Sequence, residues 1–379
     1  MNIYADYAAT APMRAAAKAE VIECMDAIGN PSSIHAAGKI ARDKIAKARS
    51  EIASLLCCFP SEIIFTSGGT ESDNWIIRSA AEEGRKIVTS SFEHHAILHA
   101  ADFVEKCLLC EVCKVDPDEM GIVNPDDVAR HIKGKENLVS IMTANNEIGT
   151  IQPIQEITEE VRKIAGKATL IHTDAVQAVG HIPVDIQKLG VDMLSLSAHK
   201  FGGPKGIGVL YCSSHVKVKP ILFGGRQEMG RRPGTENVAA IAGMAAALRE
   251  ACEKQEGEKA RITDLRDALI RRIIEIPGAH INGDQRRRLP GNVNCRFDGI
   301  EGETLVMLLS LAGVFVSSGS ACTSGSGEPS HVLTAIGQSR NDAFGAVRIT
   351  IGEETTEEDV DKIAGAVKAA VEKIRGVNK

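Results

Sequence analysis

Short apolar runs rich in Ile, Val and Leu alternate with helix-period segments between residues 62 and 212, and this alternation constrains the fold more than any other feature of the chain. The runs are EIIFTS (62–67), KIVTS (86–90), EVCKV (111–115), NLVSIM (137–142), TLIHTD (169–174), MLSLS (193–197) and GIGVLYC (206–212). Helical patterns at 71–83, 94–107 and 153–165 lie between them, and Asn124 followed by Pro125 marks a further helix start. Strands without a polar alternate face are covered on both sides, so the spacing predicts an α/β domain with a mostly parallel sheet between helices.

After about residue 235 the texture changes. Residues 237–276 are rich in Ala, Glu and Arg and predict helices leading away from the sheet. Beyond them NVNCRF, GVFVSS and AVRITI predict short strands, with helices at about 302–312, 329–336 and 356–375, which fits a smaller α+β domain. The expected division is a large domain over 15–250 and a small one from 1–14 together with 251–379.

No apolar stretch reaches the ~20 residues of a membrane span, and MNIYADYAATAPM lacks the layout of a secretory signal, so a cytoplasmic protein with no membrane partner is expected. A formal net charge of -6 offers no basic excess for a phosphate backbone, which argues against nucleic acid. Ten cysteines without an export signal read as reduced thiols.

Four segments carry polar groups that a plain sheet does not require. FTSGGTESDN sets Gly68, Gly69 and Thr70 between a strand and a helix, where free N–H groups and the helix dipole suit a phosphate; a tight connection is an equal reading. LIHTDAVQAVG ends a strand on Asp174 with Gln177 three residues on. In open α/β sheets ligands bind at such strand ends, although a cap on the following helix is the plainer reading of Asp174. SLSAHKFGGPKG puts Ser197, His199 and Lys200 at the end of another strand. A lysine partly removed from water can form a Schiff base with an aldehyde, whereas most lysines, Lys205 of the same stretch included, simply face solvent. SSGSACTSGSGEPS (317–330) places Cys322 in a small-residue loop.

Taken in order, DYAAT, GNPSSIH, TSGGTESDN, EHHAIL, NNEIGT, HTDAVQAVG, SAHKFGGPKGIG, RPGTEN and SSGSACTS resemble the motifs of cysteine desulfurases of the NifS/IscS type. These are pyridoxal-phosphate enzymes of the fold type I, class V aminotransferase group, and the resemblance runs through nearly the whole chain. It implies that Lys200 links covalently to the cofactor aldehyde, that Gly69, Thr70, Ser197 and His199 serve its phosphate, and that Thr235 of RPGTEN serves the phosphate of the neighbouring subunit in a homodimer. It further implies that Asp174 pairs with the pyridine nitrogen, Gln177 with the ring hydroxyl, His94 with the ring face and Asn146 with the ring and substrate. By the same resemblance Cys322 attacks the sulfur of L-cysteine, leaving a persulfide and alanine, with the small domain carrying its loop and His94 a candidate to take the thiol proton. Arg348 of AVRITIG is the implied anchor of the substrate carboxylate. A protein sulfur acceptor, such as an iron–sulfur scaffold, follows as partner.

Two positions depart from the family pattern: Glu353 stands where arginine is common, and Ala11 where a second threonine is usual. Cys107, Cys110 and Cys113 invite a metal reading, but a cluster-binding run needs a fourth cysteine and Asp116 follows instead; incidental thiols are expected and no metal. His95 reads as structural. The alternatives are a selenocysteine lyase or another pyridoxal-phosphate enzyme acting on amino acids, and, outside enzymes, a redox or metal-binding protein built on the cysteine triplet.

Overall fold

A seven-stranded sheet carries the larger part of the chain, as the alternation of apolar runs requires; the computed structural model describes residues 2–134, 136–318 and 328–377. In chain order the strands are β1 (Ile3–Tyr4), β2 (Ile63–Thr66), β3 (Lys86–Ser90), β4 (Val112–Val115), β5 (Asn137–Ser140), β6 (Leu170–Asp174), β7 (Met193–Ser197), β8 (Gly208–Cys212), β9 (Ala279–Ile281), β10 (Asn292–Phe297), β11 (Val314–Phe315), β12 (Ser317–Ser318) and β13 (Ala346–Thr350). The helices are α1 (Ala15–Met25), α2 (Ala36–Leu55), α3 (Gly69–Glu82), α4 (His95–Leu108), α5 (Pro125–Arg130), α6 (Ile154–Ala165), α7 (Ile186–Leu189), α8 (Val238–Ile274), α9 (Gly302–Leu311), α10 (His331–Ala335), α11 (Arg340–Phe344) and α12 (Glu357–Val377).

The large sheet has the order β2-β8-β7-β6-β5-β3-β4. Strands β7, β6, β5, β3 and β4 pair in parallel, while β8 runs antiparallel to both β7 and β2. The sheet is therefore mostly parallel, with one reversed strand that sequence periodicity does not reveal. Successive residues feed opposite faces: Ile63 and Phe65 join a core with α2 and α8, whereas Ile64 joins one with Trp75, Ile76 and Ile77 of α3 and Ile97 and Val104 of α4. Helix α6 buries Ile154, Ile157, Val161 and Ala165 at helical spacing, and Asn124 caps α5 through the Asp126 N–H at 2.9 Å, as its sequence predicts.

The stretch 237–276 holds one helix, Val238–Ile274, rather than several. Its 37 residues bury Ala240–Leu248 and Ala251 with α2 and the large sheet, and Ile262, Leu265, Leu269 and Ile273 in a separate core. That second core gathers Ile3, Ala5, β10, α9, β13 and α12 around the four-stranded antiparallel sheet β12-β13-β10-β9. GVFVSS is two strands, not one: β11 pairs with β1, and β12 with β13. Helix α12 opens on Glu357, Glu358 and Asp359 and has Arg375 in its last turn, each favourable to the helix dipole.

Candidate active site

Strands β2, β3, β5, β6 and β7 all end at one edge of the sheet, so the residues that follow them meet there. Between them lies a cavity of about 370 Å³, within the usual span for small-molecule sites. Its lining includes Gly69, Thr70, His94, Asn146, Asp174, Gln177, Ser197, His199, Lys200 and Arg348, ten residues singled out from sequence. Lys205 is exposed, as expected. Thr235 is exposed and does not line this cavity. Cys322 lies outside the described residues.

One end of the cavity suits an anion. Helix α3 starts at Gly69 with no side-chain cap, which leaves N–H groups of its first turn for a ligand. Gly68 has φ of 152°, a conformation that L side chains rarely adopt, and a Cβ on Gly208 would come within 2.7 Å of the Gly68 Cα. Glycine at both positions lets β8 and the turn before α3 touch backbone to backbone. Ser197 is buried beside this turn, and His199 contacts the Thr10 hydroxyl through Nδ1 at 3.2 Å.

Lys200 follows the short turn Ala198–Lys200 after β7. Its amine donates to the carbonyls of Ala8 at 2.7 Å and Ala9 at 2.9 Å. Gln177 Nε2 donates to the same Ala8 carbonyl at 3.0 Å. Asp174 is buried at the end of β6 and accepts the Val176 N–H at 2.8 Å, with a turn following rather than a helix, so the helix-cap alternative does not apply. Burial raises its pKa, opposed by that N–H and by the charge of Lys200.

His94 is the N-cap of α4, its Nδ1 accepting the Ala96 N–H at 3.1 Å. Burial, then the Lys200 charge, lowers its pKa to about 4. A neutral ring that accepts at Nδ1 carries its proton on Nε2, so it is arranged as a donor; acting as a base requires it to release the cap first. Arg348 crosses from β13 into the cavity, donating Nη1 to the Asn146 carbonyl and Nη2 to Asp6 Oδ1, both at 2.9 Å, while its buried Nε has no hydrogen-bond partner among the described residues. On either side of 319–327 the described chain is fixed near this site: Ser317 pairs with Arg348 across β12 and β13, and the Ser330 hydroxyl donates to Glu147 Oε2 at 2.5 Å.

Several contributors have no signal in residue type. Ala8 and Ala9 act through backbone carbonyls, and Asp6 through its pairing with Arg348. Asp73 also lines the cavity; its place one turn after Gly69 and Thr70 on α3 was the available signal. Glu353 pairs with Arg14 through both carboxylate oxygens, and Arg14 Nε donates to the Phe201 carbonyl at 2.8 Å, one residue past Lys200. The residue that departs from the family pattern thus ties the strand of Arg348 to the turn of Lys200. His95 stacks on His99 with ring centroids 4.8 Å apart and lies 4.5 Å from the His331 ring. Cys107 is exposed, Cys110 and Cys113 half-buried, and burial raises the pKa of the latter two.

The lining fits pyridoxal phosphate. The uncapped start of α3 with Ser197, Thr70 and His199 matches its phosphate, the Lys200 amine its aldehyde, and the buried carboxylate of Asp174 a protonated ring nitrogen. The orphaned Arg348 Nε offers a further donor to an anionic group.

Residues 3–363 match the family model for class-V aminotransferases. The cysteine desulfurase IscS of Methanosarcina thermophila is 46% identical over 385 residues, covering 99% of this chain and 93% of that protein. A solved NifS-like protein superposes with a TM-score of 0.91 at 38% identity, covering 98% of this chain and all of its own. A structure described as SspA in complex with cysteine gives a TM-score of 0.81 at 32% identity over 93% of this chain and 100% of that one.

Proposed function

This chain belongs to the class-V aminotransferase family, and from that premise we infer a cysteine desulfurase that converts L-cysteine to L-alanine and leaves the sulfur as a persulfide on Cys322. The observation that carries the reading is the convergence of Lys200, Asp174 and Arg348 on one cavity at the carboxyl edge of the sheet. Pyridoxal phosphate, when bound, supplies the electron-withdrawing ring that stabilises charge at the substrate carbons.

The chain's own residues do the rest. Lys200 would hold the cofactor through its aldehyde, and its Nζ, which faces the same cavity, would move the substrate α-proton. Asp174 would pair with the ring nitrogen and favour its protonated form, Gln177 would bond the ring hydroxyl, and Asn146 and His94 would contact the ring. Thr235 reaches the phosphate of a second copy, which makes the enzyme a homodimer. Arg348 exchanges Asp6 for the substrate carboxylate, a swap of one carboxylate for another that keeps the guanidinium paired. The Cys322 thiolate attacks the substrate sulfur: the S–S bond forms as the carbon–sulfur bond breaks, the electron pair passes to carbon, and protonation there gives alanine. The neutral His94 ring would offer its Nε2–H as a hydrogen-bond donor within the cavity. The placement of Ser317 and Ser330 at the site supports delivery of Cys322 from the segment between them.

The proposed division into a cofactor domain, 15–250, and a small domain of 1–14 with 251–379 is supported by the separation of the core around α2 and the large sheet from that around β10, β13 and α12, while Val332, Leu333 and Ile336 pack with large-sheet residues across the boundary. No helix among the described residues is long and apolar enough to cross a membrane. A cytoplasmic location and a protein sulfur acceptor such as an iron–sulfur scaffold belong to the same proposal and rest on the likeness to cysteine desulfurase IscS. The testing experiment is purified protein with L-cysteine and a reductant. Equal release of alanine and sulfide is expected; sulfide without alanine would overturn the reaction.

A further inference from the structure

The steps above leave unused a second buried carboxyl in the wall of the same cavity. Asp73 is 1% exposed, lines the cavity together with Asp174, and has one oxygen, Oδ1, with no hydrogen-bond partner among the described residues. His172 Nε2 lies 3.8 Å from Oδ1, but its ring is engaged by Ser140 at 2.9 Å and Ser195 at 3.0 Å. Burial lowers the His172 pKa to about 3, so it supplies no positive charge. Glu93, the third acid of the group, is also fully buried, accepts from Ser90 at 2.5 Å and from the Met142 N–H at 3.0 Å, and leaves Oε2 without a partner.

Two buried carboxyls in the wall of one cavity disfavour each other's ionisation. Burial and the field of Asp174 both favour the protonated form of Asp73, and Glu93 adds to this. Asp174 differs in having a backbone N–H donor and the nearby Lys200 ammonium, each favouring its charged form. The charge therefore settles on Asp174 and the proton on Asp73.

We infer that Asp73 is a positioning residue: it stays a neutral acid and leaves Asp174 as the single negative charge offered to the cofactor's ring nitrogen. This rests on reading the cavity as a pyridoxal-phosphate site. The Val176 N–H and the Lys200 ammonium favour the charged form of Asp174, and an apolar group in place of the Asp73 carboxyl deepens its burial and shifts that balance toward the proton. Asparagine reproduces the shape and polarity of a neutral acid; leucine keeps bulk and removes polarity.

Infrared difference spectra of the purified wild type and Asp73→Asn at pH 7 test the charge state independently of activity. The substitution is expected to remove a protonated-carboxyl C=O band, and loss of a carboxylate band instead would overturn the inference. Titration with pyridoxal phosphate tests the role. Asp73→Asn is expected to bind within about twofold of wild type, and Asp73→Leu about tenfold more weakly at pH 7, recovering as pH rises and Asp174 ionises. A tenfold loss in Asp73→Asn, or a loss in Asp73→Leu that does not change with pH, would overturn it. A wild type that binds no pyridoxal phosphate would overturn the reading of the cavity, while the infrared result would still decide the charge of Asp73.

Discussion

Replacing Glu353 tests whether the ion pair beneath the site joins its two halves. Arg14 donates Nε to the Phe201 carbonyl at 2.8 Å, Nη1 to Glu353 Oε2 at 2.9 Å and to Glu250 Oε1 at 3.4 Å, and Nη2 to Glu353 Oε1. The side chains are 11% and 33% exposed, so the pair is neither a free surface bridge nor a fully desolvated one. Exposed bridges contribute roughly 0.2–1 kcal/mol, and coupled neighbours up to about 3 kcal/mol, so bidentate geometry at this depth implies a coupling of about 1 kcal/mol. Glu353→Ala should cost about that much, and Arg14→Ala about 2 kcal/mol, because it also strands the Phe201 carbonyl. The double substitution should then cost about the same as Arg14→Ala alone. Trp75, the chain's single tryptophan and fully buried in α3, gives the signal for urea unfolding. Glu353→Arg should cost more than Glu353→Ala by setting two guanidinium groups together, and adding Arg14→Glu should recover most of the loss. Additivity of the two alanine substitutions within about 0.3 kcal/mol would refute the clamp.

Lys200→Ala should abolish turnover and the covalent retention of pyridoxal phosphate after borohydride reduction; retained turnover would remove its assigned role. Arg348→Ala should raise the KM for cysteine by about tenfold or more, the loss of a charge-assisted fork, with a smaller change in kcat; an unchanged KM would argue against the anchor. Cys322→Ser should bind cysteine and keep the cofactor absorbance while releasing no sulfide. Burial raises the Glu93 pKa from 4.5 to about 8. Below pH 4.5 folded and unfolded chains both hold that proton; between 4.5 and about 8 the unfolded chain releases it and the folded one keeps it, so stability falls as pH rises. Glu93→Gln removes this dependence and should gain relative stability between pH 5 and pH 9 in thermal unfolding; a parallel profile to wild type would contradict a neutral Glu93.

The apolar runs located the strands of the large sheet because burial on both faces leaves a signal in composition that needs no partner strand to be known. The reversed direction of β8 was not legible, since an antiparallel strand buried on both faces has the same composition as a parallel one. GVFVSS read as one strand because its pairing partners, β1 and β13, are distant in sequence. Asp174, Gln177, Ser197 and Lys200 showed themselves as polar groups at the ends of apolar strands. Ala8 and Ala9 could not, because they serve through carbonyls that every residue has. Asp73 resembled any polar residue in the first turns of a helix, and its burial is a property of the helices and strands packed around it. Glu353 read only as a charge reversal, since Arg14 lies 339 positions away.

The proposed reaction moves substrate sulfur to Cys322 in a cavity built around Lys200. A single turnover with L-cysteine and no reductant, followed by peptide mass spectrometry, addresses it most directly. One added sulfur atom on the peptide containing Cys322, matched by one alanine per labelled chain and absent from Lys200→Ala, is the predicted result. Sulfur on Cys57 or Cys107 instead, or sulfur on Cys322 without alanine, would contradict it.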